Sequence, residues 1–294
     1  MKHSFLRVFA FVVMLPLAVC RAQSDITTES NVAYGEVGGQ KLLLDVYRPS
    51  AAEAMPRPAV VFIHGGGWVG GDKKDMRDLA IGGAKLGFVT FSINYRLATD
   101  SGNHWPAQLD DSQRAVRWVR ANAAKYGVDP DRLGALGASA GGHLVTYLGT
   151  AETRDNSDTA LAGYSSRVEC VVDMFGPSDL TDDFAPKVKS GAAVNELIRK
   201  FLGVPAAELP QAEKDASPLF RVTAKSAPFL IFHGSVDDLV PLDQSQRLDE
   251  ALHKAGVESK LIVFDGEGHG FRKKENWDKF AAETSQFLLK HLAR

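Results

Sequence analysis

The sequence predicts an α/β fold in which helices cover both faces of a mostly parallel β-sheet. Short apolar runs of the kind that form buried parallel strands recur along the chain, and segments with helical periodicity separate most of them. Near the N-terminus, two strand-like segments joined at Gly38-Gly39 predict a β-hairpin, which adds an antiparallel edge. A chain of 294 residues with 45% hydrophobic content can bury one such core, so we expect a single domain after the N-terminal segment.

The predicted elements follow each other in a regular order. The predicted strands cover residues 32–36, 41–47, 59–63, 88–93, 133–136, 168–174, 229–232 and 261–264. The predicted helices cover residues 76–86, 108–126, 142–148, 244–255 and 277–292. Residues 181–217 have mixed helical and proline-rich character without a clear strand, which makes this segment a candidate lid.

The first 22 residues read as a secretory signal peptide. Their apolar run at residues 8–19 follows two basic residues, is too short for a membrane span, and leads into small and polar residues. We expect export of a catalytic domain of residues 23–294, as a secreted or periplasmic protein without a stable membrane span. A lipid anchor is less favoured, because Val19 is larger than the residue usual before a lipid-modified cysteine such as Cys20.

Charge, cysteine content and glycine patterns exclude several other classes. The formal net charge of −2, without a basic stripe, argues against a nucleic-acid surface. Cys170 is the single cysteine after the leader and is expected to be a buried core thiol. Residues 65–70 match G-x-G-x-x-G, but Asn94 stands where a dinucleotide site would have an acid. With no zinc-type ligand motif either, we predict no metal and no cofactor.

The motif that organises the chain is G-x-S-x-G at residues 137–141. A turn is expected at residues 129–131, and the apolar stretch at 133–136 that follows it reads as a buried strand leading into the motif. An apolar helical pattern follows from Gly142. A serine between strand and helix, flanked by small residues, can lie on a sharp turn that lifts its hydroxyl above the sheet. The same five-residue motif also occurs where a serine caps a glycine-rich helix start. The prediction that Ser139 is a nucleophile therefore depends on the strand before the motif and the helix after it.

A nucleophilic serine needs a base within hydrogen-bond reach and an acid that orients the base. Two loops that follow predicted strands supply candidates for both groups. One loop carries Asp237 and Asp238, and the next carries His269 between two glycines. We assign His269 as the base and Asp237 as its acid, with Asp238 as the alternative acid.

The run His-Gly-Gly-Gly-Trp at residues 64–68 follows another predicted strand. Acyl transfer needs hydrogen-bond donors aimed at the developing oxyanion, and a glycine run exposes backbone N–H groups. We predict that Gly66, Gly67 and Ala140 form the oxyanion hole, and that Trp68 lies beside the substrate.

Three other histidines near these motifs read as structural. His64 opens the glycine run and His233 opens the acid loop, where each is expected to brace its loop by hydrogen bonding. His143 lies one helical turn after Ser139 on the same predicted helix, so its side chain is expected to point down the helix.

Taken together, these motifs resemble the α/β-hydrolases, and most of all their carbohydrate-esterase branch of feruloyl and acetyl-xylan esterase-like proteins, near the hormone-sensitive-lipase group. The landmarks of the resemblance are residues 64–68, 94–97, 106–108, 111, 137–143, 175–177, 233–241 and 268–270. The resemblance implies a triad of Ser139, Asp237 and His269 and the same oxyanion hole. It also implies structural roles for residues 94–96 and Asp111. Because little more than the predicted leader precedes the first predicted strand, we expect a small cap or none.

The predicted reaction is hydrolysis of a carboxylic ester through an acyl-enzyme. Export and the aromatic ring of Trp68 favour small or polysaccharide-linked substrates, with acetyl or feruloyl groups on carbohydrate. One alternative is an amidase or peptidase on the same scaffold, of the kynurenine-formamidase-like or prolyl-peptidase-like kind. Another is a binding protein with this fold and no turnover. The sequence leaves the acyl and alcohol specificity and the oligomeric state open.

Overall fold

An eight-stranded sheet forms the centre of the protein. A computed structural model describes residues 25–50 and 55–293, and the predicted signal peptide lies outside these residues. The strands are β1 (Ile26–Val37), β2 (Gln40–Pro49), β3 (Arg57–Ile63), β4 (Val89–Ile93), β5 (Val128–Ala138), β6 (Cys170–Met174), β7 (Phe229–Gly234) and β8 (Ser259–Phe264). Their order across the sheet is β1-β2-β4-β3-β5-β6-β7-β8.

The sheet is antiparallel at one edge and parallel elsewhere, as predicted. β1 pairs with β2 and β2 with β4 in antiparallel fashion, whereas the pairs from β4-β3 to β7-β8 are parallel. The hairpin turns at Gly38 and Gly39, whose φ angles of 57° and 80° favour glycine. The loops after β3, β5, β7 and β8 leave the sheet at its carboxyl edge, where open α/β sheets bind ligands.

Helices cover both faces of the sheet. They are α1 (Arg77–Lys85), α2 (Ala107–Ala121), α3 (Ala123–Tyr126), α4 (Ala140–Thr150), α5 (Gly191–Leu202), α6 (Leu209–Asp215), α7 (Asp243–Lys254) and α8 (Lys274–Leu292). Short 3-10 helices cover Lys73–Met76 and Pro218–Arg221.

The apolar core divides into two clusters, one on each face of the sheet. Along β3, Val61 and Ile63 belong to one cluster, and Val60 and Phe62 belong to the other. Successive side chains on a strand point to opposite faces, so a fully apolar strand such as β3 must be covered on both. Cys170 is buried in the second cluster, as expected for a core thiol.

Two local predictions differ from the structure, and a third segment has the helical character that its sequence indicated. The turn expected at residues 129–131 lies inside β5, because Val128 still pairs with Arg57 across a shift in register. The helix expected at 108–126 breaks at Asn122, whose side-chain amide donates to the carbonyl oxygen of Trp118. The segment 181–217 contains α5 and α6, and α5 forms part of the site described below.

Candidate active site

Ser139 lies on a sharp turn between β5 and α4. Its φ of 56° and ψ of −119° are unusual for a residue with a side chain, and its backbone N–H donates to the carbonyl oxygen of Met174 at 2.8 Å. A Cβ atom on Gly137 would lie 2.2 Å from the carbonyl oxygen of Gly141. A Cβ atom on Gly141 would lie 2.1 Å from that of Ile63. The glycines of the motif therefore allow the backbone contacts that hold this turn.

Ser139, His269 and Asp237 form a continuous chain of hydrogen bonds. Nε2 of His269 lies 2.8 Å from Oγ of Ser139, and Nδ1 of His269 lies 2.8 Å from Oδ2 of Asp237. A carboxylate at Nδ1 favours the tautomer in which Nδ1 carries the proton, so Nε2 is free to accept the serine proton. Asp237 contacts His269, whereas the alternative acid, Asp238, contributes its backbone oxygen to a bond from the N–H of Ser190.

Asp237 is buried, with 6% of its surface exposed, and is surrounded by donors. Its Oδ1 atom accepts from the backbone N–H groups of Leu239 and Val240, both at 2.9 Å. Burial alone would raise the pKa of this carboxyl group, but the bonds from His233 and His269 outweigh it and hold the pKa well below its usual range. Asp237 is therefore a carboxylate at neutral pH.

His233 braces the acid loop, in agreement with the prediction. Its Nδ1 atom lies 2.7 Å from Oγ of Ser245. Its Nε2 atom lies 3.0 Å from the carbonyl oxygen of Val240 and 3.3 Å from Oδ2 of Asp237. The imidazole therefore joins the end of β7 to Val240 and to Asp237 itself, and so fixes the loop that carries Asp237.

The glycine run folds into a loop beside Ser139. Gly66 and Gly67 have φ angles of 105° and 57°, and the carbonyl oxygen of Gly66 accepts from the N–H groups of Val69 and Gly70. The N–H groups of Gly66 and Gly67 have no backbone acceptor within the described part of the chain. The N–H of Ala140 opens α4, where the first amides of a helix lack helical partners. All three predicted oxyanion donors line one cavity with Ser139.

Residues 94–96 and Asp111 support this loop from behind. The hydroxyl of Tyr95 donates to the carbonyl oxygens of His64 and Gly65, both at 3.2 Å, and its ring stacks on His64 at 4.3 Å. Arg96 makes a two-pronged bond to buried Asp111, at 2.8 and 2.9 Å. These contacts agree with the structural role that the family resemblance implies for these residues.

The cavity above Ser139 has a volume of about 500 Å³. Apart from Ser139, His269 and Asp75, its lining consists of glycines and apolar side chains. Burial of mostly apolar surface with a few convergent polar groups is typical of a small-molecule site.

Trp68 belongs to the cavity wall, but most of its ring is engaged in packing. It is 2% exposed, stacks on Phe201 at 4.3 Å, and donates from Nε1 to Nδ1 of His143 at 3.2 Å. Burial lowers the pKa of His143 to about 4, so this imidazole is neutral and donates from Nε2 to the carbonyl oxygen of Ala216. His143 is therefore structural, as predicted, and it fixes the tryptophan ring.

Sequence reasoning missed one wall of the cavity. Val194 and Leu197 of α5 line it together with Phe175, whose ring centroid lies 4.6 Å from that of His269. The signal in the sequence was the i, i+3 spacing of apolar residues in α5. That spacing indicates that one face of the helix is buried, but it does not distinguish packing on the core from lining a cavity.

The arrangement suits acyl transfer, because it combines a hydroxyl, a base, an orienting acid and free backbone donors. Within residues 25–50 and 55–293, no group of three histidine, cysteine or carboxylate side chains is placed to hold a metal ion. No helix in the same ranges combines the length and apolarity that crossing a membrane requires.

Comparisons with known proteins agree with this picture. A family model described as BD-FAE matches residues 44–252. Among curated proteins, the esterase LipC of Mycobacterium tuberculosis is 34% identical over 244 residues, covering 82% of this chain and 59% of LipC. The chain thus spans less than two thirds of the length of this relative.

Two solved structures share the fold over almost their whole length. A truncated carbohydrate esterase from gut microbiota superposes with a TM-score of 0.77 at 29% identity, covering 93% of this chain and 99% of that one. The propionate-bound esterase Est2 of Thermogutta terrifontis gives a TM-score of 0.75 at 27% identity, covering 93% and 97%. These matches confirm the predicted sheet with its antiparallel edge and surrounding helices.

Proposed function

Because the chain belongs to the BD-FAE family of α/β-hydrolase esterases, we propose that it hydrolyses carboxylic esters through an acyl-enzyme on Ser139. The observation that carries the proposal is the unbroken hydrogen-bond chain from Oγ of Ser139 through His269 to Asp237. The apolar cavity above these groups gives room for an ester.

In the proposed mechanism, Nε2 of His269 takes the proton of Ser139 as Oγ attacks the ester carbonyl carbon. The negative charge that develops on the carbonyl oxygen faces the N–H groups of Gly66, Gly67 and Ala140. The protonated His269, stabilised by Asp237, then gives its proton to the departing alcohol oxygen. Water repeats the sequence on the acyl-enzyme, releases the acid and restores the free serine.

For the substrate, we propose acetyl or feruloyl esters of carbohydrate. The structural likeness to a carbohydrate esterase supports this class, and the mostly apolar cavity suits the acyl part of such an ester. A panel of p-nitrophenyl acetate, p-nitrophenyl butyrate, a feruloyl ester and acetylated xylan would test it. A strong preference for long acyl chains would contradict the carbohydrate proposal, and turnover of anilides in place of esters would favour the amidase or peptidase alternative.

We also propose that residues 1–22 direct export, since the basic, apolar and small residues follow each other in the order of a secretory leader. Expression of the full chain in a bacterium, followed by fractionation and N-terminal sequencing, tests this. Uncleaved protein confined to the cytoplasm would contradict it.

The central experiment compares the wild-type chain with Ser139→Ala on p-nitrophenyl acetate. We expect the variant to lose several orders of magnitude in kcat, because removal of the nucleophile leaves little beyond the oxyanion donors. A fluorophosphonate probe should label the wild-type protein and not the variant. Equal turnover by both proteins would overturn the assignment, and a wild-type chain that is neither labelled nor active would favour the binding-protein alternative.

A further inference from the structure

Helix α5 spans the cavity and is held at both of its ends. At its start, the backbone N–H of Ser190 donates to the carbonyl oxygen of Asp238 at 2.9 Å, beside the triad acid. At its other end, Phe201 stacks on Trp68, and the carbonyl oxygen of Phe201 accepts from the N–H of Trp105 at 2.8 Å. The helix therefore forms a fixed wall between the acid loop and the glycine loop.

Two residues of α5 face the cavity at different positions along this wall. Val194 lies one turn from the acid loop and is buried. Leu197 lies almost one turn further on, over the glycine loop. A Cβ atom placed on Gly67 would be 3.1 Å from Cδ1 of Leu197, so this side chain lies against the glycine loop and forms part of the cavity lining.

The reaction determines which end of the cavity holds the alcohol part of the ester and which end holds the acyl part. The departing alcohol oxygen must lie near Nε2 of His269, since that atom gives it a proton. The carbonyl oxygen must face the glycine loop. The four groups on the tetrahedral carbon point away from each other, so the acyl chain points away from both His269 and the carbonyl oxygen, into the part of the cavity that α5 lines. The side next to His269 is bounded by Phe175 and by the acid loop, which contributes Leu239.

We propose that Leu197 is a specificity-determining residue that limits the length of the acyl group, while the alcohol occupies the end bounded by Phe175 and Leu239. The proposal rests on the proposed esterase function. It assigns to the wild-type protein esters of short acids, in the range from acetyl to butyryl, because a longer chain meets the leucine side chain. Of the two acyl groups proposed above, it therefore selects acetyl over feruloyl.

The test measures kcat/KM for p-nitrophenyl acetate, butyrate, hexanoate and octanoate. Leu197→Ala removes three carbon atoms, and a pocket gains about fourfold in kcat/KM for each methylene that it newly buries. We therefore expect the hexanoate-to-acetate ratio to rise at least about tenfold. Leu197→Trp fills the same space and should lower the ratio, so the inference can still be tested if the alanine variant does not fold.

Two controls separate this role from a general disturbance of α5. Glu196→Ala truncates the preceding residue, whose side chain is 72% exposed, and should leave the ratio unchanged. Leu239→Ala should change the ratio between benzyl acetate and methyl acetate, but not the acyl ratio.

The outcomes distinguish this inference from the proposed function. An active wild-type chain whose acyl ratio stays the same in both Leu197 variants would overturn the inference alone, as would an equal shift of that ratio in Leu239→Ala. A wild-type chain without esterase activity would contradict the proposed function and this inference together.

Discussion

The burial of Asp173 predicts a measurable dependence of stability on pH. This acid has no role in the proposed mechanism, so its effect on stability can be measured apart from activity. Asp173 is fully buried in β6 next to the nucleophile turn, where its Oδ1 atom accepts from the N–H of Gly176 at 3.0 Å. Its Oδ2 atom has no hydrogen-bond partner among the described residues. Burial raises the pKa of Asp173 to about 7, although the bond from Gly176 and the nearby His233 act in the opposite direction.

The pKa of this group fixes the sign and size of its effect on stability. In the unfolded chain the carboxyl group titrates near its ordinary value of 3.8, so between pH 4 and pH 7 the folded protein holds a proton that the unfolded chain has released. The free energy of unfolding therefore falls as the pH rises through this window. The cost is about 2 kcal/mol at pH 5 and reaches roughly 4 kcal/mol above pH 8.

Asp173→Asn removes the ionisation and keeps an acceptor for the N–H of Gly176. We expect the variant to be more stable than the wild-type protein, with a gain that is roughly 2–3 kcal/mol larger at pH 8.5 than at pH 5. For a domain of this size, that difference corresponds to a Tm gain at least about 5 °C larger at pH 8.5. Thermal unfolding followed by circular dichroism at the two pH values measures it.

The control is Asp173→Ala, which loses the bond to Gly176 as well as the charge and leaves a cavity. It should be less stable than the asparagine variant at both pH values. A Tm gain of Asp173→Asn that is the same at pH 5 and pH 8.5, or a variant less stable than the wild-type protein at pH 8.5, would refute the reasoning.

Two further predictions concern the site. Asp237→Asn should lower kcat on p-nitrophenyl acetate by about 10⁴, because an amide does not hold His269 in the required tautomer, whereas Asp238→Asn should retain activity within about twofold. Comparable losses in the two variants would contradict the assignment of the acid. Gly137→Ala should lower both Tm and activity, since its Cβ would lie 2.2 Å from a backbone oxygen. Gly82→Ala, in a helix with nothing within 4 Å, should add about 0.5–1 kcal/mol of stability, and a Gly137→Ala variant with wild-type Tm would disprove the close contact.

Much of the fold could be predicted because its signals are local. Apolar runs marked the strands, and glycines marked the turn at Gly38-Gly39 and the end of α3 at Gly127, where φ is 65°. The turn expected at residues 129–131 failed because a local side-chain bond, from the N–H of Asp131 to Asp129, coexists with sheet pairing on either side. The turn propensity of these residues does not show whether the segments on either side of them pair with another strand.

The site was predicted in its motifs but not in its walls. Ser139, Asp237 and His269 each stand in a loop with a recognisable pattern, and the structure brings the three into contact. No motif marks Leu197. From sequence, an apolar residue on an amphipathic helix that faces a cavity cannot be distinguished from one that faces the core. The position of Leu197 depends on contacts that join Ser190 to Asp238 and Phe201 to Trp68, which are distant from one another along the chain.

In chain order α5 lies between β6 and β7, apart from the loops that carry the proposed reacting groups, and it bears the residue that we propose limits the acyl group. The proposed nucleophile, base and acid lie on loops at the ends of β5, β8 and β7, whereas the wall over the glycine loop belongs to the segment between β6 and β7. Exchange of residues 181–217 for the corresponding segment of a relative is therefore a practical route to new ester preferences. Such a chimera would change the wall of the cavity and leave Ser139, Asp237 and His269 in place on their loops.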